Sequence, residues 1–261
     1  MFRSLATAAS GMEAQQTRLD VTANNIANVS TNGFKRNRAE FADLIYQQVR
    51  SGGSSTGNGT TAPDTAEVGL GVRLAATARD QTQGELHQTG NPLDVAIEGK
   101  GYLAVQLPSG DTAYTRNGAL HMTNEGKLVN ADGYPLVGDI TVPTDAQEVT
   151  IGTDGKVSAT VAGETQQVDL GQIQIAMFAN PAGLQAQGSN LFRETSASGS
   201  AVIGNPGDGG SGGVRQGMLE VSNVNTVEEM VDLISGQRAY EINSRVIKAA
   251  DEMLGETAQL R

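Results

Sequence analysis

Large apolar residues recur every seven positions near both ends of the chain. The set consists of Leu5, Met12, Leu19 and Ile26 near the amino terminus and Leu233, Tyr240, Ile247 and Leu254 near the carboxyl terminus. A seven-residue apolar repeat is typical of α-helices that pack against other helices as a coiled coil. The pattern therefore predicts one such helix at each end and makes these eight residues the predicted contact positions.

Polar residues interrupt and then end the first helical pattern. Asn32 and Gly33 are expected to stop the helix, because Gly readily adopts the left-handed conformation that follows many helices. Asn28 has two interpretations: it is another stop residue, or it is a buried amide that joins Asn24 and Asn25 in setting the register of the helix contact. The sequence leaves both interpretations open.

The last helix has a recognisable start. Thr226 and Glu229 have the spacing of a capping box, in which each side chain bonds to the backbone N–H of the other residue. Met230 adds to the apolar repeat that follows, whereas Gln237 and Ser244 make the same face partly polar. We expect this helix to continue to the end of the chain and to use its polar positions for register.

The sequence between the helices is rich in turn signals. Dipeptides in which Gly follows a polar residue occur at Asn117-Gly118, Glu125-Gly126, Asp132-Gly133 and Asp154-Gly155. Such dipeptides connect antiparallel strands. Apolar residues alternate at Leu103, Val105 and Leu107, which is typical of a strand buried on one face. Residues 95–205 are therefore predicted to form an antiparallel β domain.

These patterns together predict an α+β fold that is mainly β. Its helical coiled-coil domain is discontinuous, because both termini contribute to it, and the antiparallel β domain is inserted between them. The predicted segments are the amino-terminal helix at 1–32, an extended connector with a Gly/Ser-rich excursion at 33–94, the β domain at 95–205, a second connector at 206–222 and the carboxyl-terminal helix at 223–261.

Composition narrows the range of partners. The 261-residue chain has a formal net charge of −11 and no Cys. A negative protein repels phosphate backbones, so we expect no nucleic-acid partner. No run of about 18 consecutive apolar residues is present, so we predict that the chain does not span a membrane.

Candidate catalytic groups are few. The only histidines are His87 and His121, and a catalytic zinc site typically needs three protein ligands. Carboxylates such as Asp132 and Asp154 precede Gly, where turn formation explains them. The Gly-rich run at 207–213 lacks the Lys and Ser or Thr of a phosphate-binding loop. We therefore predict no catalytic residue, no metal site and no cofactor, and hence not an enzyme.

Several motifs resemble those of the bacterial flagellar axial proteins, which build the rod and hook. Near the amino terminus these are Ala23-Asn24-Asn25-Ile26-Ala27-Asn28 and Thr31-Asn32-Gly33-Phe34-Lys35-Arg36. Near the carboxyl terminus they are Ser222-Asn223-Val224-Asn225, Glu228-Glu229-Met230-Val231 and Gln237-Arg238-Ala239-Tyr240-Glu241. The β domain contributes Gly99-Lys100-Gly101-Tyr102-Leu103, Tyr114-Thr115-Arg116-Asn117-Gly118 and Gly126-Lys127-Leu128-Val129.

The resemblance implies a structural function. The size and the single β domain are similar to those of distal-rod subunits, which polymerise into a tubular drive shaft that carries torque to the hook and continues the export channel. The extra stretch at 47–70 also resembles an extension of such subunits. The residues assigned to the assembly interface are the eight apolar repeat positions together with Asn24, Asn25, Asn28, Gly33, Phe34 and Met230.

The resemblance also implies partners and a location. The expected partners are further copies of the chain in a helical tube, the proximal rod proteins, the hook protein, the surrounding ring proteins and the flagellar export apparatus. The expected location is the flagellar basal body, in the periplasm and through the outer envelope, reached by export without a cleavable signal peptide.

Other functions remain as alternatives. Within the family, a proximal-rod paralogue and a hook subunit share much of this plan. A cell-wall-cleaving enzyme, which would depend on a β-domain carboxylate, is the alternative from a different class. A secreted adhesin with helical anchors would bind a surface without any basal-body role.

Overall fold

The computed structural model of the chain describes residues 2–50, 64–138, 140–161 and 167–259. Within these ranges it has one α-helix near each end and nineteen β-strands between them. The predicted fold class, α+β and mainly β with helices at both ends, is confirmed. The predicted Gly/Ser-rich excursion falls largely on residues 51–63, which lie outside the described residues.

Helix α1 spans Phe2–Ala27 and helix α2 spans Thr226–Gln259. The first strands are β1 (Asn37–Asp43), β2 (Tyr46–Arg50), β3 (Ala66–Gly69), β4 (Val72–Arg79), β5 (Leu86–Gln88) and β6 (Val95–Glu98). They are followed by β7 (Tyr102–Gln106), β8 (Thr112–Thr115), β9 (His121–Met122), β10 (Leu128–Val129), β11 (Ala146–Ile151), β12 (Lys156–Val161) and β13 (Gln167–Gln172). The last are β14 (Ile175–Met177), β15 (Gln185–Gly188), β16 (Leu191–Arg193), β17 (Val202–Gly204), β18 (Gly213–Gln216) and β19 (Met218–Glu220), with a short 3-10 turn at Pro181–Gly183.

The chain divides into two compact units. We call them the helical unit, which comprises Met1–Ile26, Asn37–Ala78 and Asn225–Arg261, and the β unit, which comprises Ala27–Arg36 and Arg79–Val224. The chain therefore crosses from one unit to the other four times. Residues 33–94, predicted as one connector, contain strands β1–β5 and contribute to both units.

Local hydrogen bonds account for the end of α1 and for the start of α2. Helix α1 ends at Ala27, and Asn28 begins a turn in which its carbonyl accepts a 3.1 Å hydrogen bond from the N–H of Thr31. At the start of α2, the side chain of Asn225 accepts a 3.1 Å bond from the N–H of Val227. The cap is thus Asn225 and not the predicted Thr226, because the helix itself begins at Thr226.

Helix α2 and helix α1 lie in the same unit as two small strand pairs. Strand β1 pairs with β4, and β2 forms an antiparallel ribbon with β3. No helix within the described ranges is both long enough and apolar enough to cross a membrane.

The β unit is built on a six-stranded antiparallel sheet in the order β15-β16-β8-β7-β14-β17. The β unit also contains a three-stranded sheet, β11-β12-β13, and the pairs β9-β10, β6-β18 and β5-β19. Leu103, Val105, Val157, Ile173 and Ile175 belong to one almost fully buried core. This core forms because the alternating apolar positions of several strands meet.

Strand β7 departs from the expected one-faced burial. Tyr102, Leu103, Ala104 and Val105 are all buried, so both faces of this strand are covered. The second face packs in an aromatic cluster that includes Phe192, whose ring centroid lies 5.8 Å from that of Tyr102. The prediction fails here because the chain supplies a second apolar layer from distant positions.

Three of the predicted turns close antiparallel pairs. Gly126 has φ +80° between β9 and β10, and Gly155 has φ +78° between β11 and β12. The Asp132-Gly133 turn is closed by a bridge from Val129 to Pro135. Asn117-Gly118 is not a hairpin, because β8 pairs with β7 and β16, and the carbonyl of Gly118 instead accepts a bond from Val95.

Candidate assembly interface

The two helices pack in antiparallel directions. Arg18 Nη2 lies 2.8 Å from Asp232 Oδ1, and Asn25 Nδ2 donates a 3.1 Å hydrogen bond to Glu229 Oε2. Toward the other end of the pair, Gly11 faces Asn243, whose Nδ2 would be 3.0 Å from a β-carbon at Gly11. As the residue number increases along α1, the number of the residue that it contacts in α2 decreases.

Small and polar residues form the line of contact, which we call the seam. In α2 the buried residues Glu229, Gly236 and Ala250 recur at multiples of seven positions. A β-carbon at Gly236 would lie only 3.0 Å from Leu19 Cδ2. Because the distance between two helices depends on the side chains at their contact, Gly236 allows a close approach.

The predicted repeat residues lie beside the seam. Leu5, Met12, Leu19, Ile26, Leu233 and Ile247 are half-buried. Met230 and Tyr240 are exposed, and the side chain of Leu254 lies outside the described residues. The sequence pattern has the correct period for helix packing, but the closest contact uses smaller residues that a search for large apolar side chains passes over.

Of the three predicted asparagines, Asn25 is the one that is buried. Its Oδ1 accepts a 2.9 Å bond from the N–H of Asn37, and its Nδ2 donates to the Asn37 carbonyl at 2.8 Å as well as to Glu229. It therefore holds the start of β1 and the first turn of α2 against α1. Asn24 is exposed and Asn28 is half-buried.

A second face of α2 carries several exposed apolar side chains. Its large side chains, here called the outer stripe, are each between 44% and 69% exposed, and they are Val227, Val231, Ile234, Ile242, Val246 and Met253. At about 100° per residue, this stripe lies on a different side of the helix from the seam. Arg238 and Arg245 also lie on this side of the helix, so the apolar side chains are grouped without being continuous, and such a group marks a candidate interaction site.

The β unit contains a buried ionic cluster of Lys35, Arg116 and Glu220. Lys35 Nζ lies 2.5 Å from Glu220 Oε1, and Arg116 Nε lies 2.5 Å from Glu220 Oε2. The three side chains are at most 5% exposed. The N–H of Gly84 adds a 2.9 Å bond to Glu220 Oε1. One carboxylate therefore joins three distant parts of the chain.

Arg116 extends the cluster into the neighbouring loop. Its Nη2 donates to the carbonyls of Ile97 at 2.9 Å and Gly99 at 2.6 Å, and its Nη1 donates to the carbonyl of Gly101. The planar guanidinium suits this arrangement because it presents five N–H donors in a fixed geometry. The cluster thus also holds the loop between β6 and β7.

Gly33 has a structural reason to be Gly. It has φ +71°, its N–H donates a 2.8 Å bond to the carbonyl of Glu220, and a β-carbon would lie 2.7 Å from the carbonyl carbon of Arg116. The structure therefore places this predicted interface residue inside the β unit. Its neighbour Phe34 is half-buried.

Asn223 completes this part of the β unit. Its Oδ1 accepts a 2.7 Å bond from the N–H of Arg36, and its Nδ2 donates to the carbonyls of Asp80 at 3.2 Å and Thr82 at 3.1 Å. These segments lie next to positions where the chain passes between the helical unit and the β unit. Glu220 and Asn223 thus hold together the parts of the β unit where the chain enters and leaves it.

The electrostatics of the cluster follow from burial and pairing. Burial lowers the pKa of Lys35, although the hydrogen bond and charge of Glu220 oppose this effect. Burial raises the pKa of Glu220, but the charge of Arg116 and the hydrogen bond from Lys35 outweigh it, so that the pKa lies below its ordinary value. We interpret the cluster as an ion pair shared between two cations and one carboxylate.

Sequence reasoning did not single out this cluster. Lys35 and Arg116 lie within motifs that carried the family resemblance, but neither was assigned a role, and Glu220 lies outside those motifs. A charged residue at the end of an otherwise apolar strand, as Glu220 is in β19, is the signal that could have indicated it. Its partners could not be found from the sequence.

The described residues contain no group of three or more His, Cys, Asp or Glu side chains arranged to hold a metal ion. His87 and His121 are both exposed on short strands. The carboxylate of Asp154 accepts a 3.2 Å bond from the N–H of Lys156, which is the turn role expected from its position before Gly155. The organised features of this chain are thus packing surfaces and buried contacts.

Three family models match successive parts of the chain. Residues 5–35 match the flagella basal body rod protein family, residues 96–159 match the flagellar hook protein FlgE/F/G D1 domain, and residues 215–260 match the flagellar basal body rod FlgEFG protein C-terminal family. The matches include most of α1, all of α2 and much of the β unit.

Individual relatives match over nearly the whole length. Flagellar basal-body rod protein FlgG of Agrobacterium fabrum is 50% identical over 253 residues, which cover 97% of each chain. The FlgG proteins of Caulobacter vibrioides and Bacillus subtilis are 48% and 44% identical, and each alignment covers all of both chains. With its two packed terminal helices and its inserted β unit, the chain belongs to the flagellar basal-body rod protein FlgG family.

Proposed function

We propose that this chain polymerises as the structural subunit of the distal rod, the tubular shaft that transmits torque to the hook and continues the export channel. The observation that carries the proposal is the full-length similarity to FlgG rod proteins. A structural role also agrees with the organisation of the chain, because most of its exposed large apolar residues lie either on α2 or in and beside strands β2–β4.

The contacts between copies are assigned to two sets of residues. The first set consists of the predicted interface residues that keep exposed surface, such as Met230, Leu233, Tyr240 and Ile247. The second is the outer stripe, whose apolar side chains gain most from being covered by another copy. Contacts between two different surfaces on each subunit generate an open helical assembly when the rotation between copies does not close into a ring, and such an assembly suits a tube.

The β2–β3 ribbon is a further candidate for contacts with neighbours. Ile45, Tyr46, Val49 and Val68 are exposed on or beside this ribbon. A two-stranded ribbon with exposed apolar residues is marginally stable by itself and gains stability from a partner. The ribbon includes part of the stretch at 47–70 that supports the distal-rod assignment.

The proposed location and partners follow from that assembly. The rod lies in the periplasm and passes through the outer envelope, with the proximal rod below, the hook above and ring proteins around it. The subunit reaches this position through the flagellar export apparatus, without a cleavable signal peptide. The absence of Cys from the sequence suits an unfolded chain that passes through an oxidising compartment.

The alternatives are less favoured. The three relatives described above align over nearly their full length and are basal-body rod proteins, which weighs against a hook subunit and an adhesin. A proximal-rod paralogue would belong to the same family. At the level of identity found for the FlgG proteins, however, its relatives should be proximal-rod proteins. A cell-wall-cleaving enzyme would need a cluster of acidic groups in a cleft, whereas Asp154 has a turn role.

The test is cryo-electron tomography of basal bodies in cells that lack this gene, with the restored gene as the control. A proximal rod stub without distal rod or hook is the expected result. A shorter structure would assign the chain to the proximal rod, and a complete rod without a hook would assign it to the hook. Intact basal bodies would refute a structural role.

A further inference from the structure

A small cavity of about 60 Å³ lies in the β unit beside the buried ionic cluster. Lys35, Tyr102 and Arg116 line its buried side, and Gly99, Lys100 and Pro181 are among the residues that line the rest. Since a water molecule occupies about 30 Å³ in the liquid, the cavity has room for about two waters or for one small polar group.

The charges that line the cavity are unbalanced. Lys35 and Arg116 share the single carboxylate of Glu220, which leaves the cluster with one excess positive charge. The exposed Lys100 adds another positive charge to the lining. Among the described residues that line this cavity, none is an Asp or a Glu. The lining therefore favours an anion.

Lys35 and Arg116 also have N–H groups that are not used within the cluster. Lys35 has three N–H groups and uses two, for the carbonyl of Thr82 and the carboxylate of Glu220. Arg116 has five and uses four, for Glu220 and three carbonyls. Each buried cation therefore has one donor for which the described residues supply no acceptor.

Lys100 is unusual among the exposed cations of the β unit. Lys127 lies 3.5 Å from Glu125 and Lys156 lies 3.6 Å from Asp154. Arg193 and Arg215 also have acidic partners, Asp111 and Glu98. Within the described parts of the β unit, Lys100 has no such carboxylate. In a chain with 29 acidic and 18 basic residues, an exposed Lys without an acidic neighbour stands out.

We propose that this cavity binds a side-chain carboxylate from a second copy of this chain, with Lys35, Lys100 and Arg116 as its ligands. A carboxylate is small enough for the cavity, and its oxygens accept several charge-assisted hydrogen bonds at once. A second copy is the assigned source because each copy presents many surplus acidic residues. The inference rests on the proposed function, since it requires that copies assemble.

The pairing has a consequence for assembly. An acidic side chain that enters the cavity meets the excess charge where solvent screens it little, so the attraction between the charges is stronger than in an exposed ion pair. The walls of the cavity also restrict which part of the neighbour can enter. The contact therefore contributes to the register between copies as well as to their affinity.

The first experiment is carbodiimide coupling, which joins a Lys amine directly to a carboxylate in contact with it. Purified basal bodies and the purified monomer are treated alike, and coupled peptides are identified by mass spectrometry. We expect Lys100 to couple to an Asp or Glu peptide of this chain in basal bodies and not in the monomer. Lys127 and Lys156, which have partners within the chain, are the controls and should couple in both samples.

Two results would overturn the proposal. One is that Lys100 stays uncoupled in basal bodies while both control lysines react. The other is equal coupling of Lys100 in the monomer, which would assign its partner to the same copy. If the chain itself is missing from purified basal bodies, the proposed function is wrong. That result differs from the two above, in which the chain is present and only the cavity proposal is wrong.

The second experiment uses Lys100→Glu, with Lys156→Glu as the matched exposed control. Because like charges in contact strongly weaken an interface, we expect Lys100→Glu to lower the number of rods per cell about tenfold and the control to have little effect. Replacing the identified acidic partner by Lys should restore rods to the Lys100→Glu cells. Normal rod numbers in Lys100→Glu cells would contradict the proposal.

A free small anion is the alternative ligand for this cavity. The monomer is titrated with sodium acetate while the Nε–H signal of Arg116 is followed by NMR. If acetate binds the monomer and no coupling to a second copy occurs in basal bodies, the cavity is a site for free small anions and our assignment of the partner is wrong.

Discussion

The ammonium group of Lys35 and the carboxylate of Glu220 lie 2.5 Å apart in the interior of the β unit, although the residues are 185 positions apart in the sequence. Lys35 lies shortly after the end of α1, and Glu220 lies shortly before the start of α2. The two segments that connect to the terminal helices are therefore joined to each other in the β unit. A structural subunit under torque benefits from such a joint, because a shared buried contact resists separation of the two segments.

Replacement of Glu220 by Gln is expected to destabilise the β unit strongly. The variant leaves Lys35 and Arg116 buried without a counter-charge, and loss of one partner from a buried ion pair costs about 3–5 kcal/mol. Urea unfolding of the purified chain measures the change. The control is Glu98→Gln, which removes an exposed pair with Arg215 and should cost at most about 1 kcal/mol. Equal losses in the two variants would show that the cluster is not a special source of stability.

The stability of the β unit should fall on acidification, and Glu220 should contribute to the fall. Its pKa in the folded chain lies below the ordinary value of 4.5, so in acid the unfolded chain takes up the proton first. The stability contributed by the ionised carboxylate is present above about pH 4.5 and is lost as the pH falls through the lower folded-state pKa.

The measurement for this prediction is the urea midpoint of the wild type and of Glu220→Gln between pH 7 and pH 3. The wild type should lose more stability over this range, so that the two curves approach each other in acid. Parallel curves would mean that the ionisation of Glu220 does not stabilise the fold.

Replacement of Gly33 by Ala should cost more than the same change at Gly90. Both residues have a positive φ, +71° and +75°, which costs an Ala residue about 1–2 kcal/mol. At Gly33 the new β-carbon would also lie 2.7 Å from the backbone of Arg116, whereas at Gly90 it meets no atom within 4 Å. The clash should add about 1–3 kcal/mol. Thermal unfolding of both variants tests this, and similar melting temperatures would contradict the close approach.

Replacement of Gly236 by Leu should weaken the helix pair. A β-carbon at Gly236 already lies 3.0 Å from Leu19 Cδ2, so a larger side chain forces the helices apart at a cost of about 1–3 kcal/mol. At Gly255, in the same helix, a β-carbon meets no atom within 4 Å. There Leu should stabilise α2 by about 0.5–1 kcal/mol, because Gly is a poor helix former.

Amide hydrogen exchange in the full chain distinguishes these two variants. Faster exchange along α1 and α2 is expected for Gly236→Leu, with slower or unchanged exchange for Gly255→Leu. If the Gly236 variant exchanges as slowly as the wild type, then the seam is looser than the structure indicates.

Replacement of Ile234 by Asp should prevent rod assembly without unfolding the monomer. Ile234 is 50% exposed on the outer stripe, so the change in the isolated chain should be within about 0.5 kcal/mol. In an assembly the new carboxylate would lose its contact with water against an apolar neighbour, a cost that an ion pair with Arg238, one turn further along α2, offsets only in part.

Swimming on soft agar and electron microscopy of basal bodies measure the effect, and Ile234→Leu, which keeps an apolar side chain at the same position, is the control. The control cells should swim normally. Normal swimming by Ile234→Asp cells would remove the outer stripe from the assembly interface.

Local patterns in the sequence were sufficient for the helices and for most of the turns. The seven-residue repeat of Leu5, Met12, Leu19 and Ile26 depends only on positions within one helix, and α1 extends through all four. The turns at Gly126 and Gly155 were predictable because Gly has a conformational freedom that does not depend on distant contacts. The family resemblance was likewise carried by short contiguous motifs.

The line of contact between the helices was not predictable in the same way. Large apolar residues identify an apolar face, but the closest approach in a packed pair occurs where the side chains are small. Gly236 and Ala250 lie on that line, and Asn25 and Glu229 are buried there with a hydrogen bond between them.

The sequence by itself determined the α+β class, the two terminal helices and the membership of an axial structural family, because these depend on local periodicity, turn chemistry and short motifs. Only the tertiary structure decided which residues meet. No local rule connects Lys35 and Arg116 with Glu220, and their pairing arises because folding removes water from all three charges and leaves each of them stable only in contact with the others.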